Sequence, residues 1–126
     1  MDVYKRKTEP DIRCPLEYGM EVFGDKWKSR ILCVLFAQNV LRYSELRAEM
    51  VDVTDSVLAA SLKELQRDQL ICRKVYEVIP PKVEYSLTDR GCSVIPILQE
   101  ICRWSGMFYK DRSDKIMKQC ERCDHR

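Results

Sequence analysis

A mostly helical domain that closes on a small β-hairpin is the fold class this sequence predicts, and three observations predict it. Several segments in the first half carry apolar side chains at helical spacing. Two adjoining runs after Leu70, ICRKVYEV and KVEYSL, are β-branched and aromatic, and the second alternates apolar Val83, Tyr85 and Leu87 with polar Lys82, Glu84 and Ser86. A further helical run follows from Thr88. At 126 residues the chain is one domain's worth and can bury a core without staples.

Each element has its own signal. In CPLEYGMEVFG, Pro15 suits the first helical position with Cys14 as N-cap, and Gly24 can end the helix. In DKWKSRILCVLFAQN, Asp25 is the N-cap, and Trp27, Ile31, Val34 and Leu35 share a face. A short helix in RYSELRAEM is expected to be capped by Ser44, with Leu46 and Met50 inward. The next starts at an N-cap Thr54. It buries Leu58, Leu62 and Leu65 and presents Ser56, Ala60, Lys63 and Arg67 on the other side. Thr88 caps the last helix, which is expected to kink at Pro96, because proline cannot donate to the carbonyl of Cys92.

Two helices joined by a tight polar turn, the second strongly amphipathic, read as a helix-turn-helix. A two-stranded hairpin directly after it makes a winged helix-turn-helix. This explains why the strands are joined through Glu77-Val78-Ile79-Pro80-Pro81-Lys82 and not through a tight Asn-Gly turn. A wing tip is an exposed loop, and two prolines lower the entropy lost on ordering it. Lys82 is expected there as a phosphate-facing cation.

Bulk composition restricts function. Net charge is +2, and residues 1–109 carry equal numbers of basic and acidic side chains, so a nucleic-acid face must come from segregation of charge by the fold. The four glycines are scattered and form no phosphate loop. The one histidine, His125, is next to last, so no catalytic constellation is placed and no enzyme is expected. No apolar window suggests a membrane span and the N-terminus lacks a signal-like apolar run, so the expected location is cytoplasmic, with reduced cysteines and no cofactor. Of the seven cysteines, Cys33, Cys72 and Cys102 lie in apolar runs and are read as small core residues. Cys120-x-x-Cys123-x-His125 is at most half a zinc site, because a structural site needs four ligands; these three are weak metal candidates.

The segments CPLEYGMEVFGDKWKSRIL, LRYSELRAEM, LAASLKELQRDQLICRKVY and IPPKVEYSLTDRG resemble the HxlR-type branch of the MarR-like winged-helix transcriptional regulators. The resemblance spans about residues 12–108 and divides the chain into a flexible arm (1–12), the DNA-binding domain (13–110) and a tail (111–126). It implies a homodimeric bacterial transcription factor whose first and last helices form the dimer interface. It also implies that the helix beginning near Thr54 reads DNA, and that the Cys-Pro cysteine, here Cys14, can sense oxidants or electrophiles.

Taken with the helix patterns, the DNA-facing set is Arg42, Ser44, Thr54, Ser56, Ala60, Ser61, Lys63, Arg67, Lys74 and Lys82, on a pseudo-palindromic operator. The dimer set is Tyr18, Val22, Ile95, Leu98, Ile101, Trp104 and Phe108. The exposed start of the recognition helix departs from its relatives: it offers Asp55, Ser56, Ala59, Ala60 and Ser61, with no bidentate base reader before Lys63, and Asp52 and Asp55 would repel phosphate. A winged helix that chiefly binds protein is therefore the alternative. At Cys14, free helix amides favour an anionic sulfur, and Arg13 and the Lys5-Arg6-Lys7 run are expected nearby, so Cys14 should be the first cysteine to react.

Overall fold

The computed structural model describes residues 9–109 and Cys120. Its elements run α1 (Pro15–Phe23), α2 (Lys26–Gln38), β1 (Val40–Arg42), α3 (Tyr43–Met50), α4 (Asp55–Arg67), β2 (Ile71–Tyr76), β3 (Lys82–Leu87) and α5 (Asp89–Gly106). This is the predicted winged helix-turn-helix with one addition. The strand β1 joins the hairpin, giving an antiparallel sheet in the order β1-β3-β2. Leu41 faces Tyr85 across the first ladder, and both are buried. A three-residue strand is too short to show the alternation by which strands are recognised in sequence.

The helix starts follow the expected chemistry, with one exception. The Asp25 carboxylate accepts the amides of Trp27 (2.7 Å) and Lys28 (3.3 Å). Thr54 Oγ1 accepts the Val57 amide at 3.3 Å, and Thr88 Oγ1 the Gly91 amide at 3.0 Å. Ser44 does not cap α3. The strand β1 delivers the chain two residues earlier, so Arg42 is the N-cap residue, and its amide is satisfied by the Glu45 carboxylate at 2.8 Å. The helix α5 continues through Pro96 and ends at Gly106, before Phe108 and Tyr109.

The helix α2 is the hub, touching α1, α3, α4, α5 and the sheet. Its Ile31, Leu32, Val34 and Leu35 are buried among Leu46, Met50, Leu58, Leu62, Leu65, Leu70 and Val94. Three residues expected at a dimer face, Val22, Ile95 and Leu98, are packed in this same core and are almost wholly buried within one chain. Cys72 and Cys102, expected inside, are exposed. Cys72 falls on the outer face of the sheet and Cys102 past the last buried turn of α5, whereas Cys33 packs partly against the core.

The join between α4 and the wing is a Schellman-type close. Gln69 adopts φ 62°, and the Leu70 amide reaches back to the Leu65 carbonyl at 2.9 Å. The first turn of α5 then packs directly on this corner. A Cβ at Gly91 would lie 2.0 Å from the Leu70 carbonyl oxygen, so no side chain fits there.

One buried charge was not anticipated. Lys28 is 4 % exposed; its Nζ lies 2.9 Å from Glu64 Oε1 and donates to the Glu21 carbonyl at 3.1 Å. The ammonium therefore joins the last turn of α1, the start of α2 and the last turn of α4. Removing one partner of a buried pair leaves a desolvated charge, at a cost of about 3 kcal/mol or more. Glu64 retains some contact with solvent and Lys28 almost none, so the two losses are unequal. Glu64→Gln, which leaves the ammonium with neutral acceptors only, should lower stability by about 3 kcal/mol. Lys28→Met, which removes the buried charge and fills its place with an apolar chain, should cost clearly less. Urea unfolding of the two variants measures the order, and a reversed order contradicts this reading.

Candidate nucleic-acid interface

The helix-turn-helix is α3 and α4, and its turn carries two residues with positive φ, Val51 (49°) and Asp52 (63°). The joint is held by polar contacts as well as by Leu46, Met50 and Val53. The Arg47 Nε lies 3.2 Å from Asp55 Oδ1, and the Tyr43 hydroxyl donates to the same oxygen at 3.1 Å. Burial, and then the Asp55 hydrogen bond, raises the Tyr43 pKa, so the donating hydroxyl is kept protonated. Arg47 thereby offsets the charge of Asp55, which sequence alone suggested would repel phosphate. Neither Tyr43 nor Arg47 was singled out from sequence, because the pairing depends on the angle between α3 and α4.

On α4, Thr54, Ser56 and Lys63 are exposed, and Ala60 is half-buried. Thr54 spends its oxygen on the cap and lies 3.4 Å from Ser56 Oγ, so it orders the helix start. One expected contact is corrected: Ser61 is 6 % exposed and faces the core beside Leu58, Leu62 and Leu65. Arg67 is half-buried and pairs with Asp68, with Nε–Oδ1 3.2 Å and Nη2–Oδ2 3.0 Å. The outward side chains left on α4 are short and polar, with Lys63 the cation among them.

The wing supplies the remaining cations. Strand alternation puts Arg42, Lys74 and Lys82 on the outer face of the sheet, opposite Leu41 and Tyr85. Lys82 is not on the tip, as expected, but opens β3. It lies 3.4 Å from Glu84 and 4.7 Å from the Tyr76 ring centroid, while Lys74 lies 4.8 Å from the same ring. Tyr76 and Glu84 were not named from sequence as site residues. The hairpin register alone would have placed them here, since Tyr76 pairs with Lys82 and Lys74 with Glu84. The tip itself is apolar, with Ile79 fully exposed. Ser44 is exposed on the first turn of α3.

Away from this face, Cys14 is exposed before Pro15 and makes no side-chain capping bond. Arg13, expected beside it, turns its guanidinium to Asp11 at 3.0 Å. Lys5, Arg6 and Lys7 lie outside the described residues, as do Cys123 and His125 of the tail motif.

The comparisons with known proteins agree with this geometry. The family described as HxlR-like helix-turn-helix matches residues 22–113. An uncharacterized HTH-type transcriptional regulator of Halalkalibacterium halodurans is 40% identical over 104 residues, covering 82% of this chain and 92% of the relative. The HTH-type transcriptional regulator YdzF of Bacillus subtilis, also uncharacterized, is 47% identical over 92 residues, covering 73% and 84%. Among solved structures, the redox regulator HypR in its oxidized form superposes with TM-score 0.68 at 36% identity, covering 78% of this chain and 100% of that one. The reduced form of the transcriptional regulator YodB from B. subtilis gives 0.70 at 29% identity, covering 79% and 97%. The chain belongs to the HxlR-like helix-turn-helix family of transcriptional regulators.

Proposed function

We propose that the chain is a homodimeric regulator that binds a two-fold symmetric DNA site and responds to oxidants through Cys14. The observation that carries the DNA part is the placement of polar and cationic groups on the outward faces of α4 and the sheet. Ser56 and Lys63 on α4, and Arg42, Lys74 and Lys82 on the outer face of the wing, are available, while Asp55 is offset by Arg47. Most of these groups suit phosphate more than base edges, so the backbone supplies most of the affinity. Ser56 can accept or donate a hydrogen bond, and Ala60 can touch a thymine methyl, which gives modest base discrimination. Binding to mixed-sequence duplex DNA, followed by fluorescence anisotropy, should weaken steeply with added salt, and Lys63→Ala should flatten that dependence by about one ion. Salt-insensitive or absent binding would favour a protein-binding role.

The dimer part rests on an apolar face that the chain leaves uncovered. Leu16, Tyr18 and Met20 on α1 and Ile101 and Trp104 on α5 are exposed, with Phe108 just beyond. The Trp104 and Phe108 rings lie 5.3 Å apart. Arg90 donates to the Tyr18 hydroxyl at 2.7 Å, which ties α1 to the start of α5. The cluster at the end of α5, Ile101, Trp104 and Phe108, is the kind of apolar patch that monomers seldom leave in water. A second copy would cover it and would set the distance between the two α4 helices. Sedimentation at micromolar concentration should therefore show a dimer, and Trp104→Glu should yield folded monomer. A wild-type monomer would contradict the proposal.

The oxidant part rests on exposure and position, together with the likeness to HypR, itself a redox regulator. Peroxide would convert the Cys14 thiol to a sulfenic acid with release of water. Cys14 precedes α1, and α1 bears part of the apolar face, so a change at Cys14 acts where the two copies would meet. Mass spectrometry after limiting peroxide should find Cys14 modified before Cys92, which is also exposed. Cys14→Ser should abolish any oxidant effect on DNA binding. Equal rates at the two cysteines, or an oxidant response retained in Cys14→Ser, would exclude Cys14 as the sensor.

A further inference from the structure

The outer face of the wing holds an acid among its cations, and its geometry goes beyond simple charge. Glu84 sits on the central strand β3, with Arg42 its Cα partner on β1 and Lys74 its Cα partner on β2. The Tyr76 hydroxyl donates to Glu84 Oε1 at 2.7 Å, and Lys82 Nζ lies 3.4 Å from Glu84 Oε2. Lys74 and Lys82 flank one ring, at 4.8 Å and 4.7 Å from the Tyr76 centroid. The Tyr76 hydrogen bond, followed by Lys82, holds the Glu84 carboxyl below its ordinary pKa, so it stays anionic.

We propose that Glu84, bonded to Tyr76, is a positioning residue that holds Lys82 directly and Lys74 through the Tyr76 ring, and so preorders a cationic platform for the DNA backbone. The inference rests on the DNA-binding reading above and adds a role for an acid that a charge count would score as unfavourable. A free lysine carries many rotamers, and fixing one against a phosphate costs entropy at the moment of binding. Here the ring and the carboxylate restrict two lysines before DNA arrives. Each carboxylate oxygen has its own partner, so the acid is already satisfied and does not have to be displaced from an unpaired state. Four charged groups on one face leave a net positive platform, and phosphate is the ligand it suits.

The sign of one substitution separates positioning from bulk charge. Glu84→Gln removes a negative charge near phosphate, so bulk electrostatics predicts tighter binding. Positioning predicts weaker binding, by about five-fold, from the lost order of one or two lysines. Tyr76→Phe keeps the ring and every charge but removes the hydroxyl, and it should weaken binding in the same direction. The decisive readout is the dependence of the Glu84 effect on the lysines, measured by anisotropy on mixed-sequence duplex DNA with the full chain. In a Lys74→Ala, Lys82→Ala background, Glu84→Gln should no longer weaken binding, whereas a purely structural role would persist there. Unchanged or tighter binding by Glu84→Gln, or a loss that survives without the lysines, overturns the inference while wild-type binding stands. Absence of wild-type binding overturns the DNA reading itself.

Discussion

The ammonium of Lys28 is the constraint around which the domain is arranged. It is almost wholly withdrawn from water and is answered by a carbonyl of α1 and a carboxylate of α4. Neither contact can be given up cheaply, because a buried charge without partners costs several kcal/mol. The helix proposed to face DNA is thus tied, through one side chain, to α1, which carries part of the proposed dimer face. The apolar core around α2 packs these helices together, and the ion pair adds a directional contact between them. Shape complementarity at Gly91 acts just past the same end of α4, where the corner at Leu70 admits no side chain from α5.

Much of the fold was legible in the sequence, because its signals are local. Asp25, Thr54 and Thr88 cap the helices they were expected to cap, and Leu58, Leu62 and Leu65 are buried as their spacing required. What escaped depends on neighbours distant in sequence. The strand β1 exists because β3 offers it a ladder, and its arrival moves the start of α3 away from Ser44. Lys28 reads as a solvated residue until α1 and α4 close over it. Val22, Ile95 and Leu98 have the apolar character of an interface, but one chain is enough to cover them.

The candidate interface was legible as residue types and less so as contacts. Lys63, Lys74, Lys82 and Arg42 were named for charge and approximate location, and the hairpin register brings the last three to one face. Ser61 was misplaced because it lies at the edge of the apolar stripe of α4, where the helical wheel is ambiguous. The acids were undervalued. Asp55 and Glu84 each have a cationic partner and a tyrosine hydroxyl, and in both cases the acid organises a cation-bearing element and leaves no bare negative charge. A nearly neutral domain can in this way present a cationic surface.

The central claim is that two copies present their α4 helices and wings to one DNA duplex in a fixed relation. Selection of binding sequences from a random duplex pool, followed by hydroxyl-radical footprinting of the selected site, tests it most directly. The account predicts an inverted repeat whose half-sites are centred about one helical turn apart, roughly 34–36 Å, with backbone protection extending outward from each half-site where the wings lie. Enrichment of a single asymmetric half-site, or no enrichment with unprotected backbone, would contradict it.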